Sequence, residues 1–133
     1  MIDNYKYVVL DGTSYYKYFY ESIAHVKNYI SPNIASVIYF QIMRLFFDRI
    51  NIGVAQLQFP PNCDDIIMAY GMIIPGNIKG QLCEIIHNYY FSITPGLLNE
   101  LSKQNLLSNG ILQNHMFIEH EAPSTLIVLM RIL

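Results

Sequence analysis

Three aspartates open the chemical reading of this 133-residue chain. Asp11 ends the hydrophobic run Tyr7-Val8-Val9-Leu10 and is followed by Gly12, Thr13 and Ser14. A strand that ends in an acid sets a carboxylate at the carboxyl edge of a sheet, where open α/β folds bind ligands. Asp64 and Asp65 follow a second candidate strand and head a helix. If the two strands are neighbours, the three carboxylates converge. Magnesium and manganese take hard oxygen ligands, so clustered aspartates suit them. Two such ions together activate water against a phosphodiester. The same residues also have a structural use. Asp11-Gly12 is a turn sequence. Acids in the first turn of a helix are favoured by its dipole, by about 0.3–1 kcal/mol each.

Other groups offer different chemistry. His115, Glu119, His120 and Glu121 combine imidazole and carboxylate, which bind zinc. On a strand, His115, Glu119 and Glu121 face one way and His120 the other. That spacing matches no helical zinc motif, and a solvated strand end explains it equally. Cys63 and Cys83 are candidate nucleophiles, with His87 four residues after Cys83 on one helix face. A reactive thiolate needs an electropositive, partly exposed pocket, which Glu84 and its apolar neighbours do not suggest. Lys6, Lys17, Lys27, Arg44 and Arg49 lie among many tyrosines, a mixture that can hold phosphates and stack bases. Only 8 cations are present in all, so tyrosine packing in a core or interface is the simpler expectation.

The segment Val8-Val9-Leu10-Asp11-Gly12-Thr13-Ser14-Tyr15 resembles the opening strand of PIN-like and flap-type nucleases. Asp64-Asp65-Ile66-Ile67-Met68-Ala69 resembles their acidic helix. The two pieces cover about a tenth of the chain. The resemblance implies a divalent-metal nuclease on RNA or DNA, or an inactive relative. It implies Asp11, Asp64 and Asp65 as catalytic metal ligands, with magnesium or manganese as cofactor. Those families place further acids after a later strand. Here Pro75-Gly76-Asn77 stands in that region, and Glu84 is the nearby replacement.

Composition points elsewhere. Hydrophobic residues make up 53% and charged residues 14%, against a typical charged share of about 25%. Disorder is excluded, because it needs low hydrophobicity and high charge. The net charge of −2 argues against a basic nucleic-acid coat protein. With 11 Tyr, 7 Phe and 6 Met, some apolar surface is expected outside the core, and Tyr and Met suit interfaces. Two cysteines make no disulfide framework, and Asp3-Asn4 stands where a signal peptide needs a basic region. A reducing, intracellular and cytoplasmic setting is expected. The longest apolar stretch is too short for a membrane span. Abundant Ile, Asn and Tyr with little Arg and no Trp is the bias of AT-rich coding sequence, found in many viruses, parasites and some archaea, and bears on source and not on function. The low charge and abundant tyrosine favour a non-enzymatic assembly or protein-interaction domain without cofactor, either a homo-oligomer or a subunit of a larger particle. The PIN-like nuclease is the alternative.

The elements that must position these residues read as β-α-α-β-α-α-α-β-β, a helix-rich α/β or α+β domain with a small central sheet over residues 1–133. Tyr5 to Leu10 has the composition of a strand. Thr13 or Ser14 caps the next helix, whose face is Tyr16, Phe19, Ile23, Val26 and Ile30. Ser31-Pro32 starts another, running to Ile50. That helix is apolar nearly all round, hence central in the fold or buried in an assembly. Ala55, Leu57 and Phe59 alternate as a strand, and Asn62 caps a short helix. Helices follow over Ile78 to Phe91 and from Thr94-Pro95. Ser108-Asn109-Gly110 is a turn. Ile111 to Glu119 and Thr125 to Leu133 are expected strands, the last one buried or docked on a partner.

Overall fold

A computed structural model of the chain describes residues 5–52, 75–108, 111–112, 115–118 and 122–131. It is mixed α+β. Strand β1 (Tyr5–Asp11) leads into helix α1 (Thr13–Ser22) and a 3-10 turn at Ala24–Val26. Helices α2 (Pro32–Ile52) and α3 (Gly76–Lys103) follow. Short strands β2 (Leu107–Ser108) and β3 (Ile111–Leu112) pair with each other. Strands β4 (His115–Ile118) and β5 (Thr125–Arg131) complete the chain. The main sheet is antiparallel, in the order β1-β5-β4. The sequence-predicted strand at Ala55–Phe59 and the helix capped by Asn62 lie outside the described residues.

β5 is central because both its faces are apolar. Leu126, Val128 and Met130 are buried on the inner face, joined by Leu10 of β1 and Phe117 of β4. The apolar segment Thr125–Arg131 is thus a buried strand of its own domain.

α2 starts as its sequence dictates. Pro32 takes the first helical position, and the Ser31 hydroxyl accepts the Ile34 N–H at 3.3 Å. Its residues Ala35, Ile38, Tyr39, Ile42, Met43, Phe46, Phe47 and Ile50 are wholly buried. It packs against α1, α3, β3 and β4. Its apolar circumference is explained by this central place and needs no partner.

Two expectations are corrected. Gly12, and not Thr13 or Ser14, caps α1, and the Asp11 carboxylate accepts the Thr13 N–H at 3.0 Å. The acid therefore satisfies the N–H of the first helical residue, one of the helix's unpaired donors. The second correction is Thr94-Pro95, which begins no helix. α3 runs through it as one element of 28 residues. Pro95 cannot donate to the carbonyl of Phe91, but both residues lie on the exposed side. Leu82, Ile86, Tyr89, Tyr90, Ile93, Leu97 and Leu101 keep one buried face across the proline. Burial of that stripe outweighs the local break. Asn105, at φ 57°, then ends the helix, with the Leu106 N–H donating to the Leu101 carbonyl at 2.9 Å.

The helices meet β1 at an aromatic corner. The Tyr39 hydroxyl donates to the Gly12 carbonyl at 3.4 Å, and the Tyr89 hydroxyl to the Tyr15 carbonyl at 2.7 Å. The Tyr15 hydroxyl donates to Glu100 at 3.1 Å. Burial, with Glu100 adding to it, pushes the Tyr15 phenol up to about 12. Burial pushes Tyr39 and Tyr89 further still. The Tyr90 hydroxyl is buried without a partner.

These phenols give a paired test. Tyr89→Phe removes a made hydrogen bond and is expected to cost about 1 kcal/mol. Tyr90→Phe removes an unsatisfied hydroxyl and should be neutral or stabilising. Urea unfolding of both variants checks it, and equal losses would contradict the assignment. A Cβ on Gly12 would lie 2.9 Å from Leu126 Cγ, 3.0 Å from the Tyr39 hydroxyl and 3.2 Å from the Ser124 carbonyl. Gly12→Ala is therefore expected to cost about 1–3 kcal/mol by overpacking in the same assay.

Candidate functional site

Two regions of the described residues bear most directly on function. The first is the junction of α2 and β4. His115 opens β4 opposite Met130 and points inward, its side chain 1% exposed. Its ring lies 6.1 Å from that of Phe47. Neither ring nitrogen has a hydrogen-bond partner. The carboxylate of Asp48, on the exposed side of α2, stands 4.0 Å from Nε2. Arg44, Asp48, His115, Met116 and Phe117 line a cavity of about 380 Å³. Burial lowers the pKa of His115, and the Asp48 charge opposes that shift. The imidazole is therefore held neutral.

The sequence reading put His115 on a solvated strand end with Glu119 and Glu121. The structure turns it into the core instead. Glu119, His120 and Glu121 lie outside the described residues. A zinc site needs about four ligands, and this junction supplies one imidazole and one carboxylate. Among the described residues no three His, Cys, Asp or Glu side chains group to hold a metal. In the sequence Asp48 is one of the few polar residues of a nearly all-apolar helix, four residues after Arg44.

Of the acids in the nuclease-like pieces, Asp11 is exposed at the end of β1 and Glu84 is exposed on α3. The hydrogen bonds from Thr13 hold the Asp11 carboxyl below its usual range. Asp64 and Asp65 lie outside the described residues. Cys83 is disulfide-bonded, so its sulfur is no thiolate nucleophile for His87. The free-thiol premise of a reducing compartment therefore does not hold for Cys83. His87 is exposed, with its ring 4.9 Å from that of Phe91. Cys63 lies outside the described residues.

The second region is the outer face of the sheet. Tyr7, Leu129 and Met116 stand opposite one another in a row across three strands, and Val9, Ile127 and Ile118 form the next. Tyr7 is 61%, Val9 62% and Met116 60% exposed. A third row sets Tyr5 against Arg131. The sequence carried a signal for this face. In a strand Tyr5, Tyr7 and Val9 share one side and Val8 and Leu10 the other, so apolar groups stand on both sides. Reading the run as a strand did not say that it would lie at an edge.

His115 supplies a pH prediction. Its folded pKa is below the ordinary 6.5, so the unfolded chain binds a proton first as pH falls. The stability from the neutral ring is complete above about 6.5 and is lost as pH drops through that value toward the lowered one. Urea midpoints from pH 8 to 5 should fall in the wild type, and the fall should shrink in His115→Phe. Equal pH dependence in both proteins would contradict the burial of this ring.

Comparison with protein-family models, with curated proteins and with solved structures finds no match to this chain.

Proposed function

We propose that this protein is a non-enzymatic assembly domain that associates with copies of itself by burying the outer surface of its sheet. The observation that carries the reading is the pair of apolar rows through Tyr7 and Val9, in which Tyr7 and Val9 of β1 and Met116 of β4 are more than half exposed. Contiguous apolar patches on a folded surface mark interaction sites. Tyrosine and methionine are enriched in such sites. The low charged share of 14% supports the same conclusion, since charge is depleted at interface centres.

The support is narrower than composition suggested. The apolar helix α2 and the apolar segment of β5 are absorbed by the domain's own core. Among the described residues, what remains outside is the sheet surface, the tyrosines Tyr18, Tyr20 and Tyr29, and Phe91. No helix among the described residues is long and apolar enough to cross a membrane. The reading requires no cofactor.

Light scattering behind a sizing column, over a hundredfold range of concentration, tests it. The wild type should exceed the monomer mass of 15.4 kDa as concentration rises. The double variant Tyr7→Ser, Met116→Ser should shift toward the monomer, with its unfolding midpoint little changed. A clean monomer at every concentration would overturn self-assembly. Manganese-dependent cleavage of RNA or DNA that Asp11→Asn abolishes would replace it with the nuclease reading.

A further inference from the structure

One hydrogen bond assigns the two edges of β1. The Gly12 N–H donates to the Ser124 carbonyl at 2.6 Å and continues the register of Leu10 with Leu126, Val8 with Val128 and Lys6 with Met130. Successive residues of an antiparallel strand turn their backbone groups to opposite sides. Lys6, Val8, Leu10 and Gly12 therefore face β5. Tyr5, Tyr7, Val9 and Asp11 turn their N–H and C=O groups to the other edge. Among the described residues β1 pairs with β5 alone. Exposed edges are normally blunted by a bulge, a proline or a lysine pointing along the face. β1 pairs without a bulge over all seven residues, it contains no proline, and its one lysine, Lys6, stands near the strand's start with its backbone turned to β5.

We infer that this edge pairs with the same edge of a second copy, antiparallel about a two-fold axis at Val8. The inference rests on the self-assembly reading and names its interface. Only one antiparallel register pairs all seven residues. It sets Tyr7 opposite Val9 of the second copy and Tyr5 opposite Asp11 of the second copy. All four edge-turned residues then form hydrogen-bonded pairs, as their backbone direction requires. The side chains agree with this register. The row Met116-Leu129-Tyr7 continues into Val9-Ile127-Ile118 of the second copy, so two apolar rows run unbroken across six strands. Tyrosine beside valine is a favourable cross-strand pair. The row Arg131-Tyr5 continues into Asp11 of the second copy, which brings a cation and a carboxylate to either side of a phenol. The contact is isologous, as a two-fold requires. It extends about 23 Å along the strand, which makes a small interface that dissociates on dilution.

The register makes Val8 face itself in a non-hydrogen-bonded pair, with Cα atoms about 4.5 Å apart. That distance suits a disulfide. Mild oxidation of Val8→Cys should yield a covalent dimer, and the wild type under the same oxidation should not. Lys6→Cys should not cross-link either, because the two copies of that position lie about 13 Å apart. A second variant needs no new thiol. Val9→Pro deletes an N–H on the outer edge and leaves the β5 ladder intact. It should abolish the dimer mass while its circular dichroism stays that of the wild type. If the wild type dimerises, yet Val8→Cys does not cross-link and Val9→Pro still dimerises, the edge pairing is overturned and self-assembly stands. Cross-linking of Lys6→Cys as readily as Val8→Cys overturns the register. A wild type that is monomeric at every concentration overturns both readings.

Discussion

The close approach at Gly12 is the constraint on which the rest of the structure depends. Its N–H holds the Ser124 carbonyl at 2.6 Å, its own carbonyl receives the Tyr39 hydroxyl, and Leu126 fills the space where a side chain would stand. Three distant parts of the chain are fixed there: the end of β1, the middle of α2 and the approach to β5. Tyr89 repeats the device one turn later by donating to the Tyr15 carbonyl, which ties α3 to α1. Burying a phenol whose hydroxyl lacks a partner carries a cost, which Tyr90 bears. Tyr39 and Tyr89 avoid it on backbone carbonyls near the start of α1. The corner therefore gains apolar burial and direction together.

That corner also decides which surfaces are left. Once Gly12 sets the pairing of β1 with β5, alternate backbone groups of β1 have no choice of side. The core takes Leu10 and Val8, and the outer face keeps Tyr7 and Val9. A chain with so few charges covers little of its surface with them. Tyr5, Tyr7, Val9 and Met116 leave apolar surface exposed on the sheet, whereas the apolar groups of α2 are enclosed. The distinction separates a dense core from a surface available for association, two states that composition alone cannot tell apart.

Much of the architecture was legible because local and tertiary preferences agreed. Tyr5–Leu10, Ser31-Pro32 and Thr125–Arg131 have the element types that their residues favour. Thr94-Pro95 was misread because the local rule was true but weak. The apolar stripe from Leu82 to Leu101 gains more from burial than the proline costs. His115 was misread for a related reason, since a polar residue beside Asn114 looks solvated until β4 is placed against Phe47. The pairing of β1 with β5 was not legible at all. Strand partners more than a hundred residues apart are set by the whole core, and no local pattern records them. Of the candidate acids, the structure describes Asp11 and Glu84 as exposed and does not describe Asp64 or Asp65.

Amide hydrogen exchange of β1, followed by NMR at two protein concentrations, tests the account most directly. The Val8 and Leu10 amides should be protected at both concentrations, because β5 accepts from them. The Tyr7, Val9 and Asp11 amides should exchange fast in dilute solution and gain protection as concentration rises. Protection of both sets at every dilution, or exchange of the outer set that ignores concentration, would contradict it.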